Sequence, residues 1–134
     1  MNPHYALVAE RASHRCEYCH APEAVFNFPF EVEHVVPPLH GGPDIESNWA
    51  LACRSCDLHK AAFLEATDPQ TQANVRLFHP RTDPWGDHFR FDETTGAIVG
   101  HTAIGRATIV RLQMNHSAQL LARHQWTRLK LFRH

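Results

Sequence analysis

Hydrophobic and polar positions change their period several times along the 134-residue chain. Apolar residues recur at helical spacing after an Asn-Pro start, which predicts a short helix over residues 3–13. Residues 30–36 begin with alternation and are rich in β-branched side chains, as is typical of a strand. A second strand at 49–52 and a helix over about 55–66 follow. Strand, loop, strand and helix in this order predict a ββα unit.

The pattern becomes less regular after residue 66. Asp-Pro and His-Pro pairs indicate irregular chain over 67–88. Short apolar runs at 89–91 and 97–99 flank a loop that contains Gly96, which predicts a hairpin. We therefore expect one α+β chain with a core at 1–66 and a C-terminal extension at 67–134 that packs on it.

Two helices complete the predicted extension, over 105–114 and about 117–132. Ser117 is the expected N-cap of the second helix. The apolar positions of that helix fall on one stripe and comprise Ala118, Leu121, Ala122, Trp126 and Leu129.

Composition excludes several classes of protein. Hydrophobic residues make up 43% of the chain and charged residues 20%, which excludes a disordered chain. No apolar run approaches the roughly 20 residues that a membrane span needs. The N-terminus lacks the cationic and apolar regions of a signal peptide. We therefore expect a cytoplasmic protein with no membrane partner.

Charge is unevenly distributed along the chain. Residues 1–96 carry seven Lys/Arg and fourteen Asp/Glu, a charge of −7, whereas 97–134 carry six Lys/Arg and no acid, a charge of +6. The six are Arg106, Arg111, Arg123, Arg128, Lys130 and Arg133. The asymmetry indicates either a basic surface that attracts polyanions or an ordinary solvated helical face.

Four cysteines form two C-x-x-C pairs, separated by 33 residues. The pairs are Cys16 with Cys19 and Cys53 with Cys56. Two such pairs complete a tetrahedral Cys₄ zinc site, whereas disulfides are the alternative that a cytoplasmic chain disfavours. Because sulfur fills all four positions and leaves none for a reactive water, we expect a structural Zn²⁺ site.

The segment between and around these pairs resembles the HNH nuclease family, in its variant with two zinc-binding C-x-x-C pairs. The resemblance rests on the ordered set Cys16-Glu17-Tyr18-Cys19, Glu31 to Pro37, Gly41-Gly42, Ser47 to Cys53 and Cys56 to Lys60. It implies a ββα-metal core (HNH or His-Me finger) held by the Cys₄ zinc site. It also implies hydrolysis of DNA phosphodiester bonds.

The resemblance also implies a role for each matching residue. His34 would be the general base, since an imidazole with a pKa near 6.5 suits that task at neutral pH. Asn48 would brace the loop or orient His34. Glu33 and Asp57 would hold one catalytic Mg²⁺ or Mn²⁺, because such ions bind one or two carboxylates.

Further residues are expected to bind the substrate or the metal. Arg54 and Lys60 on the predicted helix would contact phosphates, and Arg106 is a further candidate that a structural ion pair would equally explain. His59 could join Asp57 on one ion only if the helix begins after Asp57, because two residues span about 200° of a helix.

We therefore predict a metal-dependent HNH endonuclease that acts on nucleic acid, with double-stranded DNA as the expected partner. Glu33 and His34 point to opposite faces of a regular strand, so we expect the metal and the water to lie on either side of the phosphate. The alternative is a zinc-stabilised nucleic-acid-binding module without turnover, because the family more often has other residues in place of Glu33 and Asp57. The sequence leaves the oligomeric state open.

Overall fold

A computed structural model describes residues 2–132 of the chain. Its helices are α1 (Tyr5–Arg11), α2 (Arg54–Lys60), α3 (Trp85–His88), α4 (Ala103–Arg111) and α5 (Ser117–Arg128). Its strands are β1 (Glu31–His34), β2 (Trp49–Ala52), β3 (Glu65–Thr67), β4 (Asn74–Arg76), β5 (Phe89–Phe91) and β6 (Ile98–Gly100). Arg133, one of the six C-terminal cations, lies outside the described residues.

The predicted ββα unit is confirmed. β1 and β2 pair antiparallel, with Glu31 opposite Ala52 and His34 opposite Trp49. β2 is buried along its whole length, and α2 packs against both strands. α2 ends at Lys60, six residues earlier than predicted, because Ala61 adopts a positive φ of 47° that stops the helix.

The chain after α2 forms a hairpin that the sequence pattern did not indicate. β3 pairs antiparallel with β4, where we expected a helix end and irregular chain. Three-residue strands are too short to show a period, and a buried Asp68 organises the turn by accepting hydrogen bonds from Gln70 N and Thr71 Oγ1. The hairpin spans the expected boundary between residues 66 and 67.

The second half of the extension follows the predicted order of elements, and two details of α5 differ from the sequence pattern. β5 pairs with β6, and α4 and α5 follow. α5 is capped by His116 rather than Ser117, and Leu121 and Leu129 of the expected apolar stripe are 64% and 66% exposed. The buried residue of α5 is instead Arg123, which donates hydrogen bonds to the carbonyls of Gly96 and Met114.

One continuous core joins the two halves of the chain. It includes Tyr18, Leu51, Phe78, Phe89 and Leu112, which are all 2% exposed or less. Trp85 Nε1 donates to Tyr18 O at 2.8 Å, so the extension is tied to the loop that carries the first cysteine pair. None of the helices within residues 2–132 is long and apolar enough to cross a membrane.

Candidate functional site

The four cysteines converge on one point beside the ββα unit. Their Sγ atoms all lie within 4.8 Å of one another, and all four residues are buried and free of disulfides. Cys19 Sγ and Cys53 Sγ are 3.7 Å apart. A tetrahedral zinc ion with Zn–S bonds of about 2.3 Å places its ligands about 3.8 Å apart, so the donor set fits zinc.

Local structure explains why the thiols converge. Each pair is a tight turn in which the second backbone N–H faces the first sulfur, at 3.5 Å for Cys19 and 3.4 Å for Cys56. Hydrogen bonds within the cluster, led by those with Cys16, lower the pKa of Cys19 well below its usual range and raise the pKa of Cys56 well above it. A divalent cation bound by the four sulfurs would favour the thiolate form of each of them. The cluster indicates a structural zinc site.

The two faces of β1 carry different chemistry. Glu33 points inward and is buried, whereas the His34 side chain points outward and is 27% exposed. This follows from the alternation of a regular strand, as the sequence predicts. The carboxylate and the imidazole therefore lie on separate sides of β1.

Glu33 is engaged by two buried side chains. Tyr18 Oη donates a very short hydrogen bond to Glu33 Oε1, and Lys60 Nζ lies 3.6 Å from Glu33 Oε2. Burial raises the pKa of Glu33 to about 7, although the positive charge of Lys60 acts in the opposite direction. The positive charge of Lys60 therefore offsets only part of the effect of burial on the Glu33 carboxylate.

Lys60 does not occupy the position expected of a phosphate contact. It is 1% exposed, and its ammonium donates to Val35 O at 2.9 Å. A buried ammonium that already has these partners cannot reach a nucleic-acid backbone, so Lys60 is reassigned as the internal partner of Glu33. The sequence did not indicate that Lys60 is buried, because lysine is usually an exposed residue.

No positively charged group among the described residues lies within hydrogen-bond distance of the Asp57 carboxylate. Within the described part of the chain, no hydrogen bond or ion pair reaches its side chain. Burial, followed by the negative charge of Glu31, raises the pKa of Asp57 above its ordinary value. The charge of Asp57 in turn raises the pKa of Glu33, so the two carboxylates are electrostatic neighbours. A divalent cation would relieve both, and this donor set fits Mg²⁺ or Mn²⁺.

His59 does not join these carboxylates. α2 begins at Arg54, so Asp57 and His59 are both inside the helix and the condition for shared ligation is not met. His59 Nδ1 lies 2.8 Å from Ser55 O. Across residues 2–132, the cysteine cluster is the only convergent group of three or more His, Cys, Asp and Glu side chains. We therefore remove His59 from the expected metal ligands.

His34 has a carboxylate partner that sequence reasoning missed. Its Nε2 lies 3.0 Å from Asp44 Oδ1, and the same oxygen accepts a hydrogen bond from Trp49 Nε1 at 2.9 Å. The Trp49 hydrogen bond, followed by the His34 contact, lowers the pKa of Asp44. The available signal was weak, because Asp44 follows Gly-Gly-Pro, a sequence that is typical of an ordinary loop.

Asn48 holds the loop between the strands. Its Nδ2 donates to Val36 O and to Pro43 O, both at 2.9 Å, and its Oδ1 accepts from Val36 N at 2.9 Å. A Cβ on Gly42 would lie only 1.7 Å from Val36 O, so this loop requires glycine there. Asn48 thus braces the loop, the first of its two expected roles, and positions Asp44 beside His34.

The expected basic surface is smaller than the charge count suggests. Arg106 donates two hydrogen bonds of 2.9 Å to the buried Asp68, so its guanidinium is an internal partner rather than a free phosphate contact. Arg123 is also buried and donates its hydrogen bonds to backbone carbonyls, so it does not contribute to a basic surface. Arg54 is exposed and forms no hydrogen bond or ion pair with any described residue. It stays a predicted phosphate contact.

Comparison with known proteins agrees with the geometry of the ββα unit. Residues 16–63 match the model of the HNH endonuclease family. The matched segment spans both cysteine pairs, β1, β2 and α2, and its four cysteines fit the zinc-binding variant of the family. Neither a curated protein nor a solved structure matches the chain. The family implies nuclease-type chemistry on nucleic acid.

Proposed function

We propose that this chain is a metal-dependent endonuclease that hydrolyses phosphodiester bonds of DNA at its HNH segment. The observation that carries the proposal is the partly exposed imidazole of His34, which the carboxylate of Asp44 holds in place. The same strand carries Glu33, an electrostatic neighbour of Asp57. A base on one face of β1 and a cation site that β1 and α2 form together would meet the two main needs of phosphodiester hydrolysis.

His34 acts as the general base in this proposal. Because Nε2 faces Asp44, Nδ1 is the nitrogen that takes a proton from the attacking water. Asp44 fixes the ring and its tautomer, and Trp49 fixes Asp44. Asn48 acts through the loop, since it holds the backbone on both sides of the turn that carries Asp44.

Asp57 would hold the catalytic Mg²⁺ or Mn²⁺, with Glu33 as the second carboxylate. Such an ion, when bound, offsets negative charge on the scissile phosphate and on the leaving oxygen. The electrostatic coupling of Asp57 and Glu33 supports this assignment. Arg54, exposed at the start of α2, would contact a phosphate of the duplex.

Nicking of supercoiled plasmid DNA tests the proposal. We expect the native chain to nick plasmid in Mg²⁺ or Mn²⁺, and His34→Ala to lower the rate by roughly 10²–10⁴-fold, as is usual for loss of a general base. His101→Ala is the matched control, because His101 is an exposed histidine away from β1. The control is expected to nick at the native rate.

Two further readouts make the result specific to catalysis. Zinc content and thermal stability of His34→Ala should equal those of the native chain, because the His34 side chain is partly exposed and lies away from the cysteines. Undiminished nicking by His34→Ala would contradict the role of His34. Asp57→Asn is expected to raise the Mn²⁺ concentration needed for half-maximal nicking.

A second candidate function is a zinc-stabilised nucleic-acid-binding module without turnover. The observation that favours it is Lys60, whose ammonium already lies beside Glu33 where a metal ion would otherwise compensate the carboxylate. This function predicts salt-sensitive DNA binding without nicking at any Mg²⁺ or Mn²⁺ concentration. The same plasmid experiment therefore separates the two.

A further inference from the structure

A groove outside the HNH site lies between the end of α2 and α4. It has a volume of about 860 Å³, and its lining includes His40, Ala62, Phe63, Thr67, Asn74 and Arg111. It continues past Arg111 into a smaller depression of about 250 Å³ that Thr67 and Gln113 also line. Neither the family match nor the proposed chemistry assigns a role to this groove.

The groove contains an aromatic ring with a cation over it. Phe63 is 48% exposed, and the guanidinium carbon of Arg111 lies 3.9 Å from the centre of its ring. Arg111 has no carboxylate partner within residues 2–132, and its buried Nε has no hydrogen-bond partner there. An aromatic face and an uncompensated guanidinium are the groups that bind a nucleobase and its phosphate.

The groove is close to the proposed cleavage site. Phe63 lines a small cavity of about 180 Å³ together with Val35 and Val36, and Val35 directly follows His34. His40, which also lines the groove, belongs to the loop that Asn48 braces, and its Nε2 lies 3.0 Å from Ala62 O. The groove therefore adjoins the segment that directly follows β1.

Charge and polarity favour one occupant. Residues 97–134, which include α4, contain no acid, and Arg111 is the cation that they contribute to the groove. Glu65 also lines the groove, and its register partner Arg76 is paired with Asp83, so Arg111 lies opposite one acid of the groove wall. Thr67 and Asn74 are exposed on the same wall and offer hydrogen-bonding groups to base edges.

We propose that the Phe63–Arg111 groove binds an unpaired nucleotide next to the scissile phosphate. Its base would stack on the exposed part of the Phe63 ring that Arg111 does not cover, and its phosphate would contact Arg111. A base within a duplex has no free face for such stacking. The inference rests on the proposed nuclease function and refines its substrate class to DNA with a single-stranded flank.

Fluorescence anisotropy with a labelled oligo(dT) of about 12 nucleotides tests the groove, since that length falls within the usual site size of a single-strand-binding module. It uses the full chain with zinc and without Mg²⁺ or Mn²⁺, so that binding is measured without cleavage. We expect Phe63→Leu to raise the Kd roughly fivefold or more, as for loss of one base-stacking side chain. Phe28→Leu is the matched control, because Phe28 is 46% exposed and lies outside the groove, and we expect less than a twofold change.

An abasic oligonucleotide of the same length identifies stacking as the cause. Phe63→Leu should bind it as tightly as the native chain does. Arg111→Gln should weaken binding to both oligonucleotides and lower the salt dependence, and the exposed Arg90→Gln should do neither. Equal effects of Phe63→Leu and Phe28→Leu, or an equal loss on the abasic oligonucleotide, would overturn the proposal.

Two measurements keep the outcome unambiguous. Thermal melting verifies that each variant is folded, and quenching of a 2-aminopurine base in the oligonucleotide reports stacking on the unmodified chain. Absence of quenching on saturation would also overturn the proposal. Base-dependent binding without cleavage of either plasmid or a duplex with a single-stranded flank would leave the groove standing and remove the nuclease function. His34-dependent cleavage with unchanged Phe63→Leu binding would remove the groove alone.

Discussion

The ββα unit carries two donor sets that differ in how completely the fold assembles them. The four cysteine sulfurs are buried, face one point and leave no coordination position for water. The carboxylates of Glu33 and Asp57 are neighbours, but Glu33 is held by Tyr18 and Lys60 while Asp57 has no partner among the described residues. The closed set suits a structural metal, and the open set suits a metal that exchanges water and substrate.

The difference reflects the local structure on which each set is built. Each cysteine pair is a self-contained turn, and α2 begins inside the second pair. Glu33 and Asp57 come instead from a strand and a helix, which the cysteine cluster helps to hold together. We therefore expect damage to the sulfur set to unfold the chain and damage to the oxygen set to change its activity or its response to pH.

The largest effect is expected from Cys53→Ser. Loss of one ligand removes zinc binding that contributes folding energy directly, so we expect a destabilisation above about 5 kcal/mol and a largely unfolded chain at room temperature. Circular dichroism and elemental zinc analysis measure this. Ser55→Ala, in the same helix turn, is the control and should keep the native melting temperature. A folded, zinc-free Cys53→Ser chain would contradict the structural role of the cluster.

An intermediate effect is expected from the pH response of Glu33. Because its pKa rises from 4.5 to about 7 on folding, the folded chain retains a proton that the unfolded chain has already released between these values. The free energy of unfolding should therefore fall as pH rises, by about 2 kcal/mol between roughly pH 5.5 and 7. Asp57, whose pKa is also raised, acts in the same direction.

Urea unfolding at several pH values, with zinc in excess and without Mg²⁺ or Mn²⁺, measures this dependence. Glu33→Gln should flatten the curve, since the amide does not ionise. Glu10→Gln, which changes an exposed carboxylate of α1, is the control and should keep the native slope. An equally steep curve for Glu33→Gln would assign the titration to another group.

The smallest effect is expected from Asp44→Asn. The amide introduced there would present an N–H to His34 Nε2 and so favour the wrong tautomer, but the Asp44 side chain is 73% exposed and solvent can replace it. We expect roughly a tenfold loss in the nicking rate and a changed pH profile. Asp87→Asn, which alters an exposed aspartate of α3, should have no effect. An unchanged rate and profile would exclude Asp44 as the positioning residue.

Sequence predicted the parts of the fold that depend on spacing. The C-x-x-C pairs, the β1–β2 strands and α2 follow from residue order, and so does the opposite orientation of Glu33 and His34. The β3–β4 hairpin could not be predicted, because its strands have three residues each and the preceding Ala61 takes a positive φ.

The sequence did not predict the roles of site residues whose partners depend on burial. Lys60 and Arg106 are the residue types that bind phosphate, yet both are matched to internal carboxylates that lie far away along the chain. Asp44 is ten residues from His34, and the turn that Asn48 braces brings the two together. Such pairings arise from tertiary structure and leave no local pattern.

Anomalous diffraction from Mn²⁺-soaked crystals gives the most direct test of the proposed division, in which the cysteine sulfurs serve folding and the Glu33 and Asp57 carboxylates serve DNA cleavage. Data collected at the zinc and manganese absorption edges locate each metal separately. We expect a zinc peak among the four sulfurs and a manganese peak at Asp57 on the Glu33 side. Manganese found only at the sulfurs, or at neither carboxylate, would contradict the division between the two sets.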